Sequence, residues 1–135
     1  MTVALILLAL ILALVWARRH WGGFAAQRPS DYASANGPVF DLRTHLNGPM
    51  ICEGVIYGPL GRVTSRFQAQ FQATWDGDTG TMEELFTYDD GTTQSRAWAL
   101  SCHADGHLSA TAQDVVGTAQ GITSGPALQM RYRIR

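Results

Sequence analysis

The sequence of 135 residues contains no lysine, and arginine supplies all ten of its basic side chains. It also lacks a glycine-rich phosphate loop, a nucleotide-binding motif and a Ser-His-Asp arrangement, so no catalytic class is indicated. Beyond residue 27, eight arginines stand against eleven acidic residues, a net charge of −3. Without a basic surface on this part of the chain, we expect no nucleic-acid partner.

The N-terminus is a hydrophobic segment without the features of a cleaved signal. Residues 3–17 contain no polar side chain, and residues 2–17 would form a helix of about 24 Å, slightly short of a ~30 Å hydrocarbon core. The helix would continue through Arg18, Arg19 and His20 if these side chains snorkel, with Trp16 and Trp21 at the interface. No basic residue precedes the run, no cysteine follows it, and the arginine pair occupies the expected cleavage position. We favour an uncleaved anchor over residues 1–21, with a secretory signal as the alternative.

The arginines after the apolar run indicate an orientation for this anchor. Arg18, Arg19 and Arg28 lie C-terminal to the apolar run. The positive-inside rule would therefore place the following domain in the cytoplasm.

Composition divides the rest of the chain into two parts. Residues 22–38 are rich in Gly, Ala, Ser, Pro and Asn, which is typical of a linker. Residues 39–135 are predicted as one β-meander domain. Its first residues indicate one helical turn, from which Phe40, Leu42 and Leu46 would plug the bottom of a barrel.

The strand signal is strongest at residues 66–75, where side chains alternate strictly between apolar and polar. A period of two over ten residues indicates a strand with one buried face. Similar patterns predict strands at 50–57, 107–114, 116–122 and 127–134, and two further strands between 76 and 100. Seven strands without an intervening helix indicate an all-β, antiparallel up-and-down meander.

The turn after residue 75 sets an expected register for the next strand. A four-residue loop at 77–80 would place Trp75 opposite Met82. The same loop would place Phe71 opposite Phe86, with all four side chains on one face.

Two further turns extend this face. A three-residue loop at 89–91 would place Met82 opposite Trp98 and Glu84 opposite Arg96. A loop at 103–107 would bring Arg96 to Asp114. The predicted ligand-binding cavity consists of Phe67, Phe71, Trp75, Met82, Glu84, Phe86, Arg96, Trp98 and Asp114.

The polar residues on this face admit two interpretations. Glu84 could act as a general acid with a raised pKa. We prefer an internal ion cluster with Arg96 and Asp114, in which one excess carboxyl takes up a proton or meets water. We expect this cluster to line a wet cavity, so that loss of Arg96 would cost less than about 1 kcal/mol.

Two other sets of residues are weaker candidates for chemistry. Cys52 and Cys102 would form a disulfide or remain two buried thiols. Residues 102–107 contain one cysteine, two histidines and one aspartate, and a metal site there competes with an exposed hairpin loop, which we prefer. No metal ion or cofactor is predicted.

The same residues resemble a bacterial family of small envelope proteins of unknown function. The resemblance is carried by FDLRTHLNG at 40–48, GRVTSRF at 61–67, WDGDTGT at 75–81 and EELFTYDDG at 83–91, and continues in SRAWAL at 95–100, TAQDVVGTAQG at 111–121 and LQMRYRI at 128–134. It implies a calycin-like, or lipocalin-like, β-barrel outside the cytoplasm. The family pattern includes a lipoprotein cysteine and further strands after residue 135, so it implies that this chain is truncated and its barrel incomplete.

Three functional hypotheses follow. The aromatic face and the anchor favour a membrane-tethered barrel that binds a lipid or another apolar small molecule. The alternatives are a structural envelope protein that pairs with a partner or a second copy through its open sheet edge, and an enzyme that acts on lipid with Glu84 or Asp114 as acid or base. The apolar run indicates a single-pass inner-membrane anchor, and the resemblance favours a periplasmic domain against the charge of Arg18 and Arg19.

Overall fold

A computed structural model describes residues 2–22, 26–34 and 36–135 of the chain. Helix α1 spans Thr2–Trp21, a 3-10 helix spans Pro29–Tyr32, and α2 spans Leu42–His45. The strands are β1 (Gly48–Tyr57), β2 (Val63–Asp76), β3 (Thr79–Tyr88), β4 (Thr93–Cys102), β5 (His107–Thr111), β6 (Ala119–Ser124) and β7 (Ala127–Arg131). Residues 23–25 and 35, within the predicted linker, lie outside the described residues.

The seven strands form one antiparallel sheet in sequence order, curled into a half-barrel. This confirms the predicted all-β meander preceded by a hydrophobic helix. Side chains of β2 alternate strictly between exposed and more buried positions from Phe67 to Asp76, as the sequence pattern predicts.

The predicted boundaries of the fifth and sixth strands are wrong. β5 ends at Thr111 and β6 begins at Ala119, whereas strands were expected at 107–114 and 116–122. Between them the chain turns, and Gly117 takes a φ of +69°. Val115, which lies between the two expected strands, points into the core in this turn and is only 3% exposed.

The register between β2 and β3 also differs from the expected one. The turn contains two residues rather than four, and Asp76 pairs with Thr79. The expected pairing of Trp75 with Met82 is therefore wrong by two residues, and so is that of Phe71 with Phe86. The observed pairs are Trp75 with Gly80, Ala73 with Met82, Phe71 with Glu84 and Ala69 with Phe86. A slip of two positions keeps every side chain on its predicted face.

Two glycines on neighbouring strands leave room for the aromatic rings that lie opposite them. A Cβ at Gly80 would lie 2.8 Å from the Trp75 ring, and a Cβ at Gly54 would lie 2.6 Å from the Phe67 ring. Each ring therefore lies over its cross-strand glycine. Trp75 also donates a hydrogen bond from Nε1 to the carbonyl of Leu46 at 2.7 Å, which ties β2 to the segment after α2.

The core fills one end of the inner face. Its buried residues are Leu42, Ala73, Met82, Trp98, Leu100, Leu108, Ala110, Val115 and Ala119. Leu42 is 5% exposed, and Phe40 and Leu46 pack against the same cluster. The segment around α2 therefore plugs this end of the half-barrel, as the sequence predicts.

The chain before α2 and the chain after β7 are both held against the sheet. The 3-10 helix contacts β6 and β7, and Phe40 donates its backbone N–H to the carbonyl of Gly125 at 2.8 Å. Beyond β7, Ile134 pairs with Val115 as an isolated bridge. The Arg135 N–H reaches the carbonyl of Asp114 at 2.9 Å.

Candidate functional site

An ion cluster lies on the inner face, where β3, β4 and the turn after β5 meet. Glu84 pairs with Arg96 across β3 and β4 as expected. Arg96 binds Asp114 with Nε at 3.0 Å from both carboxylate oxygens and with one terminal nitrogen 2.7 Å from Oδ2. The predicted cluster of Glu84, Arg96 and Asp114 is therefore present.

The members of this cluster differ in their access to water. The Arg96 and Glu84 side chains are 6% and 8% exposed, whereas Asp114 is 34% exposed. The Arg96–Glu84 contact is long, at 3.8 Å, and Oε2 of Glu84 has no hydrogen-bond partner among the described residues. The expectation of a water-lined cluster is therefore wrong for its two inner members.

The pKa values of the two carboxyl groups are shifted in opposite directions. Desolvation raises the pKa of Glu84, while the Trp98 side chain and the Arg96 charge act against this shift. The hydrogen bonds from Arg96 lower the pKa of Asp114. The excess acidic group is therefore Glu84, which takes up a proton more readily than an exposed glutamate.

Aromatic rings enclose the guanidinium group of Arg96. Its Cζ lies 5.4 Å from the Trp98 ring centroid and 5.6 Å from that of Tyr132. The two rings meet edge to face at 5.3 Å. The sequence prediction of the site omitted Tyr132, although its alternation places it on the same face as Leu128 and Met130.

A second group of aromatic side chains covers the inner face at the other end of β2 and β3. Phe86 lies at its centre, with ring centroids 5.1 Å from Phe67, 5.6 Å from Phe71 and 6.1 Å from Tyr88. All four side chains are half-buried. We call these four residues the aromatic patch.

Hydrogen bonds connect the aromatic patch to the ion cluster. The Tyr88 hydroxyl donates to Oε1 of Gln94 at 2.9 Å, and Nε2 of Gln94 lies 3.4 Å from Oδ2 of Asp114. The sequence prediction omitted Tyr88 and Gln94. Both follow from the same alternation that places Phe86 and Arg96 on the inner face.

The predicted cavity residues therefore fall into four groups. Phe67, Phe71 and Phe86 lie in the aromatic patch, and Glu84, Arg96 and Asp114 form the ion cluster. Met82 and Trp98 are buried in the core at 4% and 3% exposure. Trp75 packs over Gly80 near the plug.

The cysteines and histidines are not members of the ion cluster. Cys52 and Cys102 are both free thiols. Burial raises the pKa of Cys52, and the charge of Glu84 adds to this effect. His103 contacts Ser109 in the β4–β5 hairpin. No three metal-binding side chains come together within the described residues.

The fold and the site define a half-barrel protein with a buried ion cluster and an open aromatic surface. The family model described as "Protein of unknown function (DUF3833)" matches residues 20–135, and the chain belongs to that family. No curated protein matches the chain. No solved structure matches it either.

The buried guanidinium leads to a prediction for Arg96→Ala. The substitution would leave two carboxyl groups without their cation. It would also leave a gap between the rings of Trp98 and Tyr132. We expect a loss of about 3–5 kcal/mol in the free energy of unfolding, measured by denaturant titration. Arg66→Ala is the matched control, because its exposed ion pair with Asp89 at 3.6 Å should contribute less than about 1 kcal/mol. Equal small losses for both variants would contradict the burial of the cluster.

The raised pKa of Glu84 predicts a pH dependence of stability. Between the ordinary pKa of 4.5 and the higher pKa of Glu84 in the folded protein, the folded state binds more protons than the unfolded state. The free energy of unfolding should therefore fall as pH rises through this window. Glu84→Gln should remove that slope and raise stability at neutral pH, whereas the exposed neighbour variant Glu83→Gln should retain it. Parallel curves for wild type and Glu84→Gln would contradict the prediction.

Proposed function

We propose that the aromatic patch binds an apolar small molecule, such as a lipid, while α1 anchors the protein in a membrane. The observation that carries this proposal is the half-buried state of Phe67, Phe71, Phe86 and Tyr88 on the concave face. Concave apolar surfaces with a few convergent polar groups are the usual form of small-molecule sites.

The polar groups beside the patch suit an amphiphilic ligand. Tyr88 and Gln94 lie at its border and end in hydroxyl and amide groups. The charged residues behind them are already paired, since Arg96 binds Asp114 through two nitrogens. Apolar contact would therefore supply most of the affinity, and hydrogen bonds at the border would orient the ligand.

The composition of α1 supports the membrane anchor. The helix has 20 residues, and none of its side chains is buried by the protein. A helix of this length spans about 30 Å, the thickness of a hydrocarbon core. Length and composition alone fit a secretory signal equally well. As part of the proposal, α1 is a single-pass inner-membrane span and the half-barrel lies in the periplasm.

An enzymatic use of the same surface has less support. A general acid or base must reach its substrate, but Glu84 is only 8% exposed. Asp114 is more accessible, yet its carboxylate is held by Arg96 through both oxygens. This pairing lowers its pKa and its basicity.

Substitution of Phe86 tests the proposed site, because this ring contacts the three others in the patch. Phe86→Ser should weaken binding of a fluorescent fatty-acid probe about tenfold or more, since burying a phenylalanine side chain against an apolar ligand contributes roughly 1.5–3 kcal/mol and about 1.4 kcal/mol is tenfold in affinity. Leu85→Ser is the control, because Leu85 is the next residue of β3, faces outward and is 45% exposed. Equal affinity in both variants, or no binding by the wild type, would reject the ligand site. Mass spectrometry of co-purified lipid would identify the ligand.

The free edge of β1 favours a second candidate function, a structural protein that pairs through its sheet. β1 has ten residues and pairs only with β2 within the described chain. Ile51 and Val55 on its outer face are 83% and 44% exposed. Long apolar edges without lysine are typical sites of strand addition, and the register shift of β1 lies only at its end, between Ile56 and Tyr57.

Lysine substitutions on the edge of β1 test whether the protein pairs through its sheet. Ile51→Lys combined with Val55→Lys should convert an edge-paired dimer into a monomer, because each lysine opposes the approach of another strand. Light scattering of the full-length protein in detergent would measure the mass. Leu85→Lys places a charge on the same outer face away from the edge and should not change the mass. A wild-type monomer at all concentrations would reject self-pairing through β1.

A further inference from the structure

A groove separate from the aromatic patch lies where α1 meets the outer face of the sheet. Its walls are the last turns of α1, the 3-10 helix and the outer face of β6 and β7. Its lining includes Trp16, Arg19, His20, Tyr32, Ile122 and Arg131. We call this the juxtamembrane groove.

The polar side of the juxtamembrane groove is basic. Arg19 and His20 lie in the last turn of α1, and Arg131 lies at the end of β7, where its pairing with Gln120 places it on the outer face. Among the described residues, no acidic side chain lines the groove. Neither Arg19 nor Arg131 forms an ion pair within the part of the chain that the structure describes.

The other side of the groove is apolar and aromatic. Trp16 stacks on His20 with ring centroids 4.8 Å apart, and Ile122 on β6 is 37% exposed. The contact of the 3-10 helix with β6 and β7 holds the wall formed by Tyr32 against the sheet. Cationic groups beside an apolar wall match a ligand with an anionic head and a hydrocarbon tail.

The position of the groove along α1 indicates where such a ligand comes from. Arg19 is the eighteenth of the 20 residues of α1, so a helix that spans the hydrocarbon core places it at the depth of the lipid headgroups. Tryptophan and arginine at a helix end commonly lie in this interfacial layer.

We propose that the juxtamembrane groove binds the phosphate headgroup of an anionic phospholipid from the leaflet reached by the C-terminal end of α1. Arg19 and Arg131 contact the phosphate, and the acyl chains run along α1 beside Trp16. The inference rests on the proposed anchoring by α1 but not on ligand binding to the aromatic patch. Bound lipid would fix the outer face of β6 and β7 towards the membrane surface.

Tryptophan quenching in vesicles tests this site. The full-length protein is reconstituted in phosphatidylcholine vesicles containing one-fifth phosphatidylglycerol, with bromine on the acyl chains of either lipid. Brominated phosphatidylglycerol should quench Trp16 and Trp21 more, per mole, than brominated phosphatidylcholine. Each arginine near an anionic lipid surface favours it about fivefold, so Arg19→Gln combined with Arg131→Gln should abolish most of this preference.

A matched pair of substitutions separates a site from general charge attraction. Arg18→Gln combined with Arg133→Gln removes the same charge from the same end of the molecule, but neither residue lines the groove. This control should retain the preference for phosphatidylglycerol. Equal losses in the two double variants would overturn the groove as a specific site.

Two further outcomes are distinguishable. If excess inorganic phosphate outside the vesicles abolishes the preference for phosphatidylglycerol, then the groove binds free phosphate. The assignment of the site to a lipid headgroup would then be wrong. A full-length chain that does not float with vesicles of either composition would overturn the anchor and the groove together. A chain that floats but shows no lipid preference overturns only the groove.

Discussion

The contact between Arg96 and Asp114 holds together parts of the chain that no strand ladder joins. Arg96 lies in the middle of β4, while Asp114 belongs to the turn between β5 and β6. The backbone of the same turn binds the end of the chain through Asp114 and Val115. Tyr132 adds its ring to the guanidinium. Arg96 therefore ties the turn between β5 and β6 and the end of the chain to β4.

The ion cluster also explains the division of the inner face. Charged groups are stable inside a protein only when they are paired, and here the pairing is incomplete, because Oε2 of Glu84 lies 3.8 Å from Arg96 and has no hydrogen-bond partner among the described residues. The cluster separates a closed apolar core beneath α2 from the half-buried aromatic patch. We propose the patch as the ligand site because its rings, unlike Met82 and Trp98, remain partly accessible.

The two proposed binding surfaces face different environments. The aromatic patch lies on the concave side of β2 and β3, whereas the juxtamembrane groove lies on the outer side of β6 and β7 beside α1. A protein anchored in this way would hold lipid headgroups at its outer surface and present its concave side for an apolar molecule. The two sites use different residues, so substitutions in one leave the chemistry of the other unchanged.

Local sequence alone determined the class of fold, the faces of the strands and most members of the site. Alternation with a period of two assigns Phe67, Glu84 and Arg96 to one face regardless of register, since a slip of two residues preserves the face. The turn length between β2 and β3 was not determined, because it depends on how Trp75 packs over Gly80. Tertiary structure alone also decided that the chain turns between Thr111 and Ala119 and that Arg96 and Glu84 are buried. Burial is a property of how distant segments pack together, and no local pattern of residues encodes it.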